Sequence, residues 1–149
     1  MKSLFEKEAY DDILGRIEKL DENTSAQWGK MDVAQMLYHC QQPLDVAIGR
    51  KTLKKPNFIM KLILRSIKSS MYNDKPWKPG SPTVAEYKVT SNKDFNTEKE
   101  ALLALIGEFY EYGNSRELGP HIAFGQLTHD QWGMMQYKHL DHHLRQFGI

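Results

Sequence analysis

Apolar residues recur at helical spacing in four long stretches of this chain, and no stretch gives a convincing strand series. Phe5, Tyr10, Ile13, Leu14, Ile17 and Leu20 predict a helix over about 4–21, with Ser3 and Glu6 as a capping box. Asp32 is a suitable N-cap for a second helix over about 33–49, carrying Val33, Met36, Leu37, Cys40, Leu44, Ala47 and Ile48. Pro43 should kink or break it, and Gly49 should stop it. A third long helix is expected over about 97–113, between a Thr97/Glu100 capping box and Gly113. Thr128 and Gln131 cap a last helix over about 129–147. Four long amphipathic helices predict an all-α four-helix bundle in one domain over 1–149, a length that can bury its own core.

Between the second and third long helices lies an unusually long connection. Its first part, around Phe58, Ile59, Leu62, Ile63 and Ile67, reads as a short accessory helix with Pro56 in its first turn. Lys54, Lys55, Lys61, Arg65 and Lys68 form its other face. The formal net charge of +1 gives no bulk field, so this face reads as a solvated surface, with no nucleic acid and no membrane expected. The Pro- and Ser-rich 73–95 segment, in which "AEYKVT" could be extended, is long enough to be a lid or a wall over a site. A single cysteine, Cys40, excludes an intramolecular disulfide, and the acidic turn of "MKSLFEKEAYDD" is unlike a signal peptide. A cytoplasmic location is the expectation.

Chemistry concentrates in "YKHLDHHLRQFGI". His139 and His143 stand about 40° apart on one face of a helix, beside Trp132, Met135, Gln136 and Phe147, and can chelate one ion. His142 points about 100° away from His143 and is the lesser ligand candidate. Histidines in a last helical turn also simply complement the helix dipole, so spacing alone leaves both readings open. His39 borders the apolar stripe of the second helix, whereas His121 and His129 fall where exposure is the default. In an up-down bundle the second and last helices run parallel, and the heights of His39 and His143 need not match unless a crossover or the Pro43 kink aligns them.

"MDVAQMLYHCQQPLDVAIG" followed by "YKHLDHHLRQF" resembles the DinB-like (YfiT-type) superfamily of metal-binding four-helix bundles, in an uncharacterised branch. The resemblance implies a metal held by His39, His139 and His143, with Gln146 hydrogen-bonded behind a ligand. Leu144 and Arg145 precede that glutamine where many relatives carry a glycine. Three imidazoles would leave a coordination position free for water or substrate, the form of a catalytic site. Zn²⁺ or Ni²⁺ fits first, and Fe²⁺ or Cu²⁺ also suits imidazole. The resemblance further implies a transferase or isomerase that uses a low-molecular-weight thiol, and is compatible with a homodimer, while a metal-bound water as nucleophile would make the protein a hydrolase. The competing class is a non-enzymatic metal-binding or partner-binding bundle. Met36, Trp132, Met135 and Phe147 would wall the site, and Glu108, Glu111, Asp32 and Asp45 are the carboxylates considered as general base. Cys40 falls within the apolar stripe and is a poor nucleophile.

Overall fold

The structure is a computed structural model that describes Met1–Ile149. It is all-helical, with α1 Lys7–Glu18, α2 Val33–Ala47, α3 Phe58–Ile67, α4 Phe95–Ser115 and α5 His129–Gln146. No strand is present, only an isolated bridge between His121 and Gly125. The four long helices are those expected from apolar spacing, and α3 is the short accessory helix.

The ends of the helices follow local chemistry. Asp32 and Gln35 form a reciprocal capping box on α2, as do Thr128 and Gln131 on α5. Three expected boundaries change. The start of α1 is displaced to Lys7, because Ser3 Oγ accepts from the Phe5 N–H and residues 4–6 form a turn. Asp94, not Thr97, caps α4, accepting the Thr97 N–H at 2.9 Å. Gly113 does not stop α4, which runs on to Ser115. A Cβ at Gly113 would collide with the ring of Phe5, so the glycine serves close packing and not termination. Pro43 leaves α2 a single helix, since the missing N–H costs one internal bond without disrupting the rest. Pro56 precedes the Asn57 N-cap of α3 and so lies outside its first turn.

Hydrogen bonds between elements fix the directions of the helices. Leu4 bonds Gly133, Tyr137 bonds Asp12 and Arg16 bonds Asp141, so α1 and α5 run parallel. Gln35 reaches Ser91, Gln41 reaches Glu98 and Arg50 reaches Glu108, so α2 and α4 also run parallel. Phe5 stacks on Phe109 while Lys99 bonds Glu18, which makes the two pairs antiparallel to each other. The second and last long helices are therefore antiparallel, not parallel as in a simple up-down bundle. The long connection from 48 to 94 causes this: it carries the chain back along the bundle, so that α4 starts beside the start of α2.

One apolar cluster fills the interior, drawing Ile13 and Ile17 from α1, Met36, Leu37 and Leu44 from α2, Leu102, Ile106 and Phe109 from α4, and Leu140 and Leu144 from α5. Each such fully buried side chain contributes about 1.5–3 kcal/mol relative to exposure. Most polar groups enclosed with them are matched, His139 Nδ1 excepted. Lys138 is buried, yet its Nζ donates to the carbonyls of Ser70 and Asn73 and to Asn73 Oδ1, tying the connection to α5.

Candidate metal centre

Antiparallel α2 and α5 bring His39 level with His139 and His143. His39 is the seventh residue of α2, and His143 is the fourth from the end of α5. One ligand-type atom of each ring lies within 4.8 Å of those of the other two. The ring centroids are 4.6 to 5.1 Å apart. The alignment expected to need a crossover is thus provided by one.

Two of the rings are held by partners behind them. Nδ1–H of His39 donates to the Tyr87 carbonyl at 2.8 Å, leaving Nε2 with its lone pair. Nδ1–H of His143 donates to Gln146 Oε1 at 2.8 Å. The orientation of that amide is fixed in turn, because Gln146 Nε2 donates to the Trp28 carbonyl at 2.6 Å. Gly29, at φ +90°, permits this approach, since a Cβ there would strike the Gln146 amide. A hydrogen-bond acceptor behind each ligating imidazole is the arrangement that sets tautomer and ring orientation at metal sites.

His139 carries the site's one unmatched polar atom. Its Nε2 is 3.1 Å from Nε2 of His39, and its Nδ1 is the one buried side-chain nitrogen or oxygen in the protein with no partner. A proton on His139 Nε2 leaves Nδ1 a buried, unmatched acceptor. A proton on Nδ1 leaves a buried, unmatched donor and sets two lone pairs against each other. Neither tautomer satisfies both nitrogens, which is costly in an enclosed place. A cation among the rings takes up the facing lone pairs of all three, and only Nδ1–H of His139 stays unpartnered, so the residues present fit a divalent metal.

Electrostatics favour the same state. Burial holds His39 below the usual histidine range, partly offset by its bond to Tyr87. Burial, then the neighbouring imidazoles, pushes His139 well below it. Burial and His39 lower His143 to about 3. All three are neutral at pH 7, the form in which imidazole ligates.

The surroundings differ in part from expectation. His142 stands outside the three, with its ring 5.7 Å from Trp77 and 6.1 Å from Trp28. These residues line a cavity of about 230 Å³ with Lys138, Asp141 and Arg145. Trp132 is not a wall of the triad. It lies two turns earlier on α5, packs 5.3 Å from His121 and donates to the Gly119 carbonyl. His121 is buried and not exposed as expected, its Nδ1 accepting from the N–H groups of Ala123 and Phe124. His129 is exposed, as its loop-end position predicts, and bonds the Gly113 carbonyl. Among the carboxylates considered, Asp32 caps α2 and Glu108 pairs with Arg50, and none joins the cluster. Cys40 is buried beside Met36, where burial pushes its thiol far up.

Tyr87 and Trp77 escaped the sequence reading. Both belong to the connection, where "AEY" forms a 3₁₀ turn at Ala85–Tyr87 and not an extended piece. The Trp77 ring stands 6.1 Å from His139, and Tyr87 touches His39 edge-on. Irregular backbone carries no periodicity from which either could be assigned.

The sequence profile of a family described as "Protein of unknown function (DUF1569)" matches residues 2–148. The chain belongs to this family. No curated protein and no solved structure matches it. Within this DUF1569 chain the three histidines come from segments 100 residues apart in sequence, so the family match spans every element that builds the site.

Proposed function

We propose that this DUF1569 protein is a DinB-like (YfiT-type), metal-dependent enzyme in which His39, His139 and His143 hold one divalent ion. The observation that carries the reading is the enclosed Nδ1 of His139. It has no partner, and Nε2 of the same ring faces the lone pair of His39, while Nδ1 bonds fix the tautomers of the other two rings. Zn²⁺ and Ni²⁺ suit an all-imidazole set best, with Fe²⁺ and Cu²⁺ as the alternatives. When bound, such an ion supplies Lewis acidity that lowers the pKa of a water or a thiol toward neutrality.

This chain's own residues do the rest. Tyr87 and Gln146 orient the ligands, and burial keeps them unprotonated. No carboxylate or thiolate of the protein enters the cluster, so the three rings leave room for a small molecule. Trp28, Trp77 and His142 give the neighbouring cavity aromatic walls, and Lys138 and Arg145 add two cations partly countered by Asp141. That lining suits a planar or aromatic electrophile carrying a negative group. Transfer to, or isomerisation through, a low-molecular-weight thiol fits this arrangement, with hydrolysis as the variant in which water is the nucleophile.

The test is metal analysis of protein purified without an affinity tag, followed by turnover of a panel of aromatic electrophiles with and without small thiols. Stoichiometric metal and thiol-dependent turnover that disappears in His139→Ala is the expected result. Metal-free protein after supplementation with all four ions overturns the site. Metal-loaded protein without turnover leaves a non-enzymatic metal-binding bundle.

A further inference from the structure

The helix α3 is amphipathic, yet none of its residues is buried. Phe58 is 76% exposed and Ile59 70%, and Met60, Leu62, Ile63 and Ile67 are also exposed. Val84 is the one other large apolar side chain so exposed in the whole protein. Leu64 is the apolar residue of α3 turned inward, half-buried, and Lys68 fastens that side by donating to the Gln126 carbonyl at 2.5 Å. The helix therefore lies on the body of the protein with its apolar face outward.

Charge is segregated around this face. Residues 46–73 hold Arg50, Lys51, Lys54, Lys55, Lys61, Arg65 and Lys68 and not one Asp or Glu. All nineteen carboxylates lie elsewhere, against the thirteen remaining Lys and Arg. The +1 of the whole chain thus conceals a cationic patch on an otherwise anionic molecule. Arg50 pairs with Glu108, but none of the other six cations has a salt-bridge partner. Glu86 accepts the backbone N–H of Lys54 at 3.4 Å, and Asp45 lies near enough to Arg50 and Lys51 to feel their charge. Lys61 and Arg65 sit on the face next to Phe58 and Leu62, since residues four apart share a side of the helix. Lys55 and Lys61 also turn toward a cleft of about 680 Å³ that runs from α3 to the 119–122 loop, with Lys51, Leu53 and Trp132 in its lining.

We propose that α3 is an interfacial helix that lays its outward apolar face into an anionic lipid bilayer, with the exposed Lys54, Lys55, Lys61 and Arg65 meeting the headgroups. No helix is long and apolar enough to cross a membrane, and α3 needs only to lie in its plane. The helix is about 15 Å long, and its six exposed apolar side chains together present several hundred Å² of accessible surface, short of a whole interface. A stable dimer buries about 800 Å² per partner, so α3 alone is too small to join two copies. Packing two copies through α3 would also set two net-cationic surfaces against each other. An anionic surface meets both features and repels the acidic remainder, which fixes the docking direction. The inference is independent of the metal centre.

The test is flotation of the full chain with vesicles of equal parts phosphatidylglycerol and phosphatidylcholine, beside vesicles of phosphatidylcholine alone. Binding is expected to the anionic vesicles and to weaken with added salt. Ile59→Asp, at an exposed position that leaves the fold intact, is expected to weaken it about tenfold or more. Lys61→Glu with Arg65→Glu is expected to weaken it about 25-fold or more. An unchanged helical circular dichroism spectrum checks the fold of each variant. Failure to float with anionic vesicles overturns the proposal, as does binding that ignores lipid charge and both variants. A dimer in sedimentation velocity that Ile59→Asp dissociates, without vesicle binding, assigns the face to a second copy and also overturns it.

Discussion

His143 and Gln146 sit one turn apart on α5 and share a hydrogen bond of 2.8 Å, Nδ1–H to Oε1. The bond reaches outside the helix because the same amide donates to the Trp28 carbonyl. Gln146→Leu keeps the side-chain bulk and removes both contacts. Metal affinity is expected to fall about 10–100-fold, as is usual when a ligand loses its outer partner. Competition against a chromophoric chelator measures this without any knowledge of substrate.

Removal of a ligand itself should cost more than that. His139→Ala and His143→Ala are expected to lose nearly all bound metal in elemental analysis. His129→Ala should retain it, since His129 bonds Gly113 and stacks on Phe5 at 4.2 Å. That variant is expected to lower stability instead, by about 0.5–1.5 kcal/mol in urea unfolding.

Acid should act through the same three rings. Their folded pKa values lie below the ordinary 6.5, with His143 at about 3. The unfolded chain therefore binds more protons between those limits, and stability rises with pH across the interval. Stability is expected to be level above about 6.5 and to fall as pH drops from there toward about 3. His121, lowered to about 4 by burial, adds to the loss over the upper part of that range. Urea midpoints at neutral and acidic pH check the sign, and a metal-loaded sample should also release its ion as the ligands protonate.

Packing at the other end of the bundle is tested by Gly113→Ala. The new methyl must displace the Phe5 ring, which is stacked on Phe109 at 4.8 Å. A loss of about 1–3 kcal/mol is expected, with metal content unchanged. Equal stability would mean that Phe5 can move aside.

What the sequence revealed follows from where periodicity exists. The four long helices were legible because apolar spacing and caps such as Asp32–Gln35 agree locally. Gly113 misled because a glycine for a close-packed ring and a glycine for a helix stop look alike in one sequence. The directions of α2 and α5 were not legible, since the path of residues 48–94 decides them and no local preference encodes that path. His139 and His143 could be paired from spacing, but bringing His39 to them needed that path. Tyr87, Trp77 and Lys138 gain their positions from the same connection. The outward face of α3 was visible as an apolar stripe, and its exposure was not.

Cys40 has a practical consequence for assays. It is the one cysteine of the chain, it is buried against Met36, and burial pushes its thiol far above the range in which thiolate forms. The folded protein is therefore silent toward thiol-detecting dyes, as only thiolate reacts with them. Any disappearance of sulfhydryl signal in a reaction mixture then reports consumption of the added small thiol alone, and a burst of signal on standing reports unfolding.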